Sequence, residues 1–228
     1  LKDFECAKTS ELQLAVFATG IGVDNTILFR DLRQMMYNIL NPARLVDTAN
    51  KSSGLSRKRL DIPATVKAFL LDLQGIMSDI ESAHMSNVLA KTFVLEMLNM
   101  TDMEILNQLL MRRECCSTSS ARILDLTLRH IEKWALQSCS ALSLKEVRWS
   151  LRRSIQACNF LLVHKTDIAR AYKHGIPLTQ LLEGKTDKLN LQQVYRLVAY
   201  HHDDWILGNR MNSDSYGLLH GLKREIAK

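Results

Sequence analysis

Apolar residues recur three or four positions apart along most of the chain, which is the spacing of one face of an α-helix. An early helix is predicted from Asn25 to Asn41, because Pro42 disfavours helical geometry in the residue before it. Its apolar positions are Leu28, Leu32, Met35, Met36, Ile39 and Leu40. A second helix is predicted after Pro63, with apolar positions at Val66, Phe69, Leu70, Leu73, Ile76, Met77 and Ile80. A third helix is predicted for residues 86–98.

Two stretches have the pattern of a capping box, in which a hydroxyl residue and a glutamate three positions later satisfy backbone donors at a helix start. They are Thr101-Asp102-Met103-Glu104 and Ser143-Leu144-Lys145-Glu146, so we expect a helix to begin at each of them. Serines at 117–120 are expected to cap the helix that lies between the boxes. That helix carries the stripe Leu124, Leu128, Ile131 and Trp134 or Ala135.

The C-terminal third continues the helical pattern. One helix after the second box is predicted to carry Val147, Leu151, Ile155, Cys158 and Leu162. Asn190 precedes a helix with Leu191, Val194, Tyr195 and Val198, and a last helix carries Leu219, Leu222 and Ile226. No long strand-like alternation, internal repeat or sustained heptad pattern is present, so the sequence predicts an all-α bundle.

Composition agrees with this prediction and indicates a globular protein without membrane-spanning helices. Hydrophobic residues make up 46% of the 228 residues, with only three prolines and nine glycines, which suffices for a packed core. No run of 18 apolar residues occurs, so no membrane span is expected. The chain begins at Leu1 without a signal-peptide pattern, and we expect it to be a piece of a longer cytoplasmic protein.

Positive charge is concentrated in one segment of the chain. Residues 112–153 hold nine Lys and Arg against four Asp and Glu, a net charge of +5 out of +6 for the whole chain. On one helix Arg148 and Arg152 would share a face, with Arg153 beside them. We expect no aromatic ring to stack among these arginines, and no nucleic-acid-binding motif is present. A solvated face is the simplest interpretation, and a surface for an acidic partner protein is the functional one.

Candidate catalytic and metal-binding chemistry is sparse. The cysteines form no Cys-x-x-Cys pair, so we expect reduced thiols rather than disulfides or a zinc ribbon. No signature of a thiol protease accompanies Cys115-Cys116, and no phosphate-binding loop occurs. The one metal-site candidate is His201-His202-Asp203-Asp204, because helical metal-dependent phosphohydrolases use a His-Asp pair. The sequence favours a non-enzymatic module without a cofactor.

Residues 105–117, Ile-Leu-Asn-Gln-Leu-Leu-Met-Arg-Arg-Glu-Cys-Cys-Ser, resemble the signature of the dilute (DIL) domain in the globular tails of class V and plant class XI myosins. Later blocks at 128–134, 153–162 and 191–196 are similar to family elements in the same order. The resemblance implies an elongated multi-helix bundle of the globular-tail type, with residues 1–80 as its N-terminal helical part and residues 85–228 as the DIL region. The signature positions, expected to be structural, are Asn107, Leu109, Leu110, Arg112, Arg113, Glu114 and Trp134.

In this family the tail docks adaptor proteins and small GTPases on organelles, and in some members it folds back to inhibit the motor head. The resemblance therefore implies a cargo-binding module of an actin-based motor, associated with vesicles or organelles, reaching membranes only through partners. It also implies a parent that dimerises through an upstream coiled coil. The residues expected to bind partners are Arg148, Arg152, Arg153 and Lys165, the last because a Lys-Thr-Asp stretch also occurs in animal class V tails.

Two other functions stay open at this point. Ras-linked and junctional adaptor proteins also carry dilute domains, so an adaptor is the first alternative, and a helical metal-dependent phosphohydrolase is the distant one. Residues 47–59 lack apolar periodicity and are predicted to form a loop. Within it Ser52, Ser53 and Ser56 lie beside a run of basic residues, where a phosphate would cancel positive charge, so they are candidates for regulation.

Overall fold

The computed structural model describes residues 30, 34, 64–82, 84, 86–163, 169–170, 173–174, 188–201 and 213–227. Seven α-helices have described bounds, and the described residues include no β-strand, which confirms the predicted all-α bundle. In chain order the helices are α1 (Ala64–Ser82), α2 (Asn87–Met111), α3 (Thr118–Ser138), α4 (Leu144–Ser150), α5 (Arg152–Leu162), α6 (Leu191–Tyr200) and α7 (Ser213–Ile226). A 3₁₀ turn, Arg113–Cys115, follows α2.

Helix α1 confirms the helix predicted after Pro63. Its predicted stripe supplies five buried residues, Val66, Phe69, Leu73, Met77 and Ile80. Of the early helix predicted after Asn25, only Arg30 and Gln34 are described, and both are helical. The predicted loop at 47–59, with its three candidate serines, lies outside the described residues.

Helix α2 corrects the prediction of a helix start at Thr101. The helix runs unbroken from Asn87 to Met111, and the Thr101 hydroxyl donates to the carbonyl oxygen of Met97 at 2.8 Å instead of capping a new helix. Such a bond to the residue four positions earlier is compatible with a continuing helix. Thr101 and Asp102 are both buried, so the apparent capping box lies inside the packed part of the protein.

Three other predicted helix starts, at Ser117, Ser143 and Asn190, are confirmed by their hydrogen bonds. Ser117 Oγ accepts from the backbone N–H of Ser120 at 3.1 Å, where α3 begins. Ser143 and Asn190 each form a reciprocal capping box, with Glu146 on α4 and with Gln193 on α6. These bonds satisfy backbone donors that have no partner within the helix.

The helix predicted through residues 147–162 is interrupted. Helix α4 ends at Ser150 and α5 begins at Arg152, with Leu151 between them at φ −95° and ψ 11°. The backbone N–H of Leu151 still donates to the carbonyl oxygen of Val147, at 3.2 Å, so the helical register extends to the turn. The predicted apolar positions Val147, Leu151 and Cys158 are nevertheless buried.

The chain divides into two compact units. The first comprises Leu1–Ile39, Arg59–Ile105 and Leu126–Arg152. Its described core includes the stripe of α1, together with Phe93, Val94, Met97, Ile131, Trp134, Ala135 and Val147. Ser138 Oγ on α3 donates to Gln74 Oε1 on α1 at 3.0 Å, and this bond joins the two helices at a partly buried position.

The second unit comprises Leu40–Lys58, Leu106–Asp125 and Arg153–Lys228. Its described core includes Leu109, Cys116, Leu124, Cys158, Phe160, Val194, Leu197 and Leu222. Helices α6 and α7 pack together, and Lys223 Nζ lies 5.8 Å from the ring centroid of Tyr195. Cys158 Sγ donates to the carbonyl oxygen of Ala121 at 3.1 Å, which connects α5 to α3 within this unit.

Candidate partner-binding surface

The signature segment, residues 105–117, forms the end of α2, the 3₁₀ turn and the residue that caps α3. Leu109 is fully buried and Leu110 is half-buried, whereas Asn107 lies on the exposed side of α2. The first of the two cysteines, Cys115, ends the turn and is also fully buried. Most apolar residues of the signature segment therefore belong to the core, whereas Met111 is exposed.

The charged positions of the signature are engaged with one another. The Arg112 guanidinium donates from Nε to Glu114 Oε1 at 2.9 Å and from Nη1 to Gln108 Oε1 at 3.4 Å. The pKa of Glu114 is lowered by a backbone hydrogen bond and by its bond to Arg112. Arg113 is exposed and its carbonyl oxygen accepts from Cys116 N at 3.1 Å. These contacts join the turn to the end of α2.

The two signature cysteines are thiols inside the core. Cys116 Sγ donates to the carbonyl oxygen of Leu109 at 3.0 Å, which links the turn back to α2. Burial raises the pKa of Cys115 to about 11 and that of Cys116 to about 12, so neither is a thiolate near neutral pH. Cys139 and Cys158 are also buried thiols outside any disulfide.

Trp134, the last of the signature positions, is a core residue of α3. It is 7% exposed, and its indole Nε1 has no hydrogen-bond partner in the part of the chain that the structure describes. A buried indole that presents no face to solvent contributes packing rather than partner contacts.

The predicted arginine cluster extends over two helices and over the boundary between the two units. Arg148 lies on α4 and Arg152 on the first turn of α5, both in the first unit, whereas Arg153 belongs to the second unit. Arg148 donates from Nε to Glu132 Oε1 on α3 at 3.1 Å. The Arg148 side chain remains 60% exposed, while that of Glu132 is 13% exposed. Lys165 lies outside the described residues.

One residue that sequence reasoning missed lies between these arginines. Trp149 is 60% exposed, and the Arg152 Cζ lies 4.7 Å from the centroid of its ring. The Arg152 guanidinium also donates from Nη1 to the carbonyl oxygen of Trp149 at 2.7 Å. The expectation that no aromatic ring stacks among the arginines is therefore wrong. The available signal was a Trp three residues before an Arg in a helical segment, a spacing that brings side chains together.

We call the outward-facing residues of this region the Trp149 face. They are Leu144, Lys145, Arg148, Trp149 and Arg152. The first four are exposed and Arg152 is half-buried, whereas Val147, Ser150 and Leu151 on the opposite side are buried. The face thus combines apolar and cationic side chains on one side of α4 and the turn that follows.

The start of α4 is fixed by a single carboxylate. Glu146 Oε1 accepts from Lys91 Nζ on α2 at 2.7 Å, and Glu146 Oε2 accepts from Ser143 N at 3.0 Å and from Ser143 Oγ at 2.7 Å. The bond to Lys91, followed by those to Ser143, lowers the pKa of Glu146 from 4.5 to about 2. Glu146 is therefore ionised at neutral pH and holds α4 against α2.

Metal-binding chemistry finds no support in the described part of the chain. No group of three or more His, Cys, Asp and Glu residues is arranged there to hold an ion. His201 is buried, with its ring centroid 6.4 Å from that of Phe160, while residues 202–204 lie outside the described ranges. None of the helices described is long and apolar enough to cross a membrane.

Comparison with known proteins identifies the class of this domain. The family model of the DIL domain matches residues 92–204, a range that includes the signature segment and α3 to α6. This part of the chain is a DIL domain of the myosin globular-tail type, and the DIL domain of myosin tails is a non-catalytic module.

Curated relatives agree with that assignment. The chain is 24% identical to Myosin-11 of Arabidopsis thaliana over 163 residues, which is 71% of this chain and 10% of that protein. It is 25% identical to Myosin-6 of the same plant over 195 residues, 84% of this chain and 12% of that protein. Protein OPAQUE1 of Zea mays is 24% identical over 135 residues, 59% of this chain and 8% of that protein. The chain thus spans about a tenth of the length of these relatives.

Proposed function

We propose that this chain is the cargo-binding globular-tail module of an unconventional actin-based motor. The observation that carries the proposal is the DIL domain at residues 92–204, together with similarity to plant myosins over 71% to 84% of the chain. The partners would be adaptor proteins and small GTPases on organelles, so the protein would reach vesicles in the cytoplasm through other proteins. The exposed cations and tryptophan of the Trp149 face support a role in protein binding.

Competition with the motor in cells tests this function. The chain, fused to a fluorescent protein, is expressed in cells that contain its parent protein, and organelle speed along actin is measured. The fusion should decorate organelles and slow them, because it occupies cargo receptors without supplying a motor. A diffuse fusion with unchanged organelle speed would contradict the proposal. The Leu109→Ala variant lacks a fully buried side chain and is the destabilised control. It should slow organelles less than the wild-type fusion does if the effect needs the folded domain.

A second proposed role is contact with the motor head of the same protein. The net charge of +5 over residues 112–153 favours an acidic surface as its target. Adding the chain to the isolated head should lower the actin-activated ATPase rate, and raising the salt concentration should restore it. An ATPase rate that is independent of the added chain at every salt concentration would exclude this role.

The sequence of the parent transcript upstream of residue 1 separates a motor from an adaptor. A Gly-x-x-x-x-Gly-Lys-[Ser/Thr] phosphate loop, followed by basic light-chain-binding helices and long heptads, would define a dimeric motor. Ras-binding or junctional domains in that position would instead define an adaptor and would remove the motor function, while leaving the DIL domain as it is.

A further inference from the structure

The stretch of chain that carries the Trp149 face has a net positive charge. Within the first unit, residues 126–152 contain five Lys and Arg but only two acidic residues, Glu132 and Glu146. Glu132 is paired with Arg148, and Glu146 is paired with Lys91 on another helix. Lys145 and Arg152 therefore add positive charge beside two acids that are already engaged.

The aromatic ring on this face is oriented by the protein itself. Arg152 lies over the Trp149 ring at 4.7 Å and bonds the carbonyl oxygen of the same residue at 2.7 Å. Two contacts between the same two residues restrict both side chains before any partner arrives, so a partner loses less conformational entropy on binding. Trp and Arg are also the residue types that most often dominate the binding energy of protein interfaces.

We propose that the Trp149 face binds an acidic segment of a partner protein that carries one apolar anchor. Carboxylates of the segment pair with Lys145, Arg148 and Arg152, and the anchor lies against the ring of Trp149 and the side chain of Leu144. This inference rests on the proposed function and deepens it, because it states the chemistry of the cargo partner and where it binds.

A protein segment fits this face better than a nucleic acid does. Single-stranded nucleic acid is bound by successive aromatic platforms along a basic groove. The Trp149 face has one indole ring and therefore offers no series of aromatic platforms. One ring with exposed Leu144 beside cations matches an amphipathic acidic peptide, for which a single apolar anchor with charged flanks is sufficient.

Selection from a random peptide library tests the proposal while the cargo protein is still unidentified. Purified chain is used to select from a displayed library of peptides, and the selected pool is then measured for binding to variants. We expect peptides enriched in Asp and Glu around one aromatic or large aliphatic residue. Trp149→Ala and the double variant Arg148→Gln/Arg152→Gln should each weaken their binding at least tenfold. Trp149→Phe, which keeps an aromatic ring, should retain part of the affinity.

Leu71→Ala is the matched control. Leu71 is 71% exposed on α1, where one Lys stands against three acidic residues, so it offers apolar area on a helix of net negative charge. This variant should bind the selected peptides as the wild type does. Thermal unfolding of every variant verifies that the domain is folded.

Several results would overturn the proposal. They are a library that yields no binders, enriched peptides without acidic bias, and peptides that bind Trp149→Ala as tightly as the wild type. A single-stranded oligonucleotide or anionic vesicles could also bind the chain. If that binding is lost in Trp149→Ala and displaces none of the selected peptides, the Trp149 face has a different partner from the one proposed. Peptides that depend on Trp149, combined with unchanged organelle speed, would keep the face and remove the motor-tail function. Slowed organelles, combined with peptides that do not depend on Trp149, would keep the motor-tail function and remove the role of the face.

Discussion

Arg112 of the signature segment and Arg152 of the Trp149 face have different surroundings. In the signature segment Arg112 donates to Glu114 and Gln108, and the neighbouring cysteines are buried. On the Trp149 face Arg152 lies over a ring that is 60% exposed, and the Arg148 side chain is also 60% exposed. The signature segment, which is easiest to recognise in the sequence, thus contributes mainly to packing. The Trp149 face, which is less distinctive in the sequence, exposes its aromatic and cationic side chains. A family motif therefore need not mark a binding site.

The largest expected effect lies within the signature segment. Leu109→Ala should lower the free energy of unfolding by about 2–5 kcal/mol, because it leaves a cavity at a fully buried position. Met111→Ala, two residues later on the same helix and 78% exposed, should change it by less than about 0.5 kcal/mol. Urea unfolding followed by circular dichroism measures both. Similar losses for the two variants would show that the signature segment is not packed as described.

The cysteines of the same segment provide a chemical test of its burial. Because burial raises the pKa of Cys115 to about 11 and of Cys116 to about 12, alkylation at about pH 8 should be slower in the folded chain than in urea, roughly a hundredfold for Cys115 and roughly a thousandfold for Cys116. Mass spectrometry of iodoacetamide-treated protein measures the rate at each site. Equal rates in the folded and unfolded chain would place these thiols at the surface.

A smaller effect is expected where the Trp149 face begins. Ser143→Ala removes one half of the capping box of α4 and should lower the free energy of unfolding by about 1 kcal/mol. Ser140→Ala, at an exposed position in the preceding turn, is the matched control and should change it by less than about 0.5 kcal/mol. The urea midpoints of the two variants decide the matter, and equal midpoints would mean that the cap contributes nothing.

The same cap makes stability depend on acid. Glu146 titrates near 4.5 in the unfolded chain and at about 2 in the folded one, so its carboxylate binds protons more weakly when folded. Its contribution to stability is therefore complete above about pH 4.5 and is lost as the pH falls from there toward about 2. Glu146→Gln should flatten the dependence of the urea midpoint on pH in this window, and Lys91→Gln should flatten it less. An unchanged profile in both variants would contradict the bonding described for Glu146.

The smallest effect on stability is expected at the centre of the Trp149 face. Trp149→Ala removes an exposed ring and its contact with Arg152, which at an exposed site contributes less than about 1 kcal/mol. Thermal unfolding of this variant should therefore resemble that of the wild type. A large loss would mean that the ring serves the fold, and the contrast with the signature segment would disappear.

The sequence predicts those parts of the fold that depend on local rules. Apolar spacing places α1, α3, α6 and α7, and the caps at Ser143 and Asn190 form as predicted. The same rule fails at Thr101, whose hydroxyl bonds backwards to Met97 because the helix is packed on both sides of it. Only the three-dimensional packing distinguishes Ser143, which is exposed, from Thr101, which is buried.

The candidate site shows the same limit. Charge counting finds the basic segment, and the resemblance finds the DIL domain, but neither indicates that Trp149 is exposed. Exposure of that ring follows from the burial of Val147, Ser150 and Leu151, which orients α4 in the first unit. The break at Leu151 is also absent from the apolar pattern, because its flanking positions keep helical spacing across the turn. Both features depend on which side of α4 packs against the core, and that side is set by tertiary contacts.

The short length of α4 has a consequence for how its surface behaves in time. A helix of seven residues has too few internal hydrogen bonds to persist by itself in water. It is present because Glu146 attaches it to Lys91 and because Val147 is buried. Its backbone amides should therefore exchange with deuterium at the rate at which α4 detaches from α2, well before the whole domain unfolds. A partner that binds the Trp149 face would slow that exchange. Binding of the cargo partner would therefore be detected in the amides of α4, a helix that is already formed before the partner arrives.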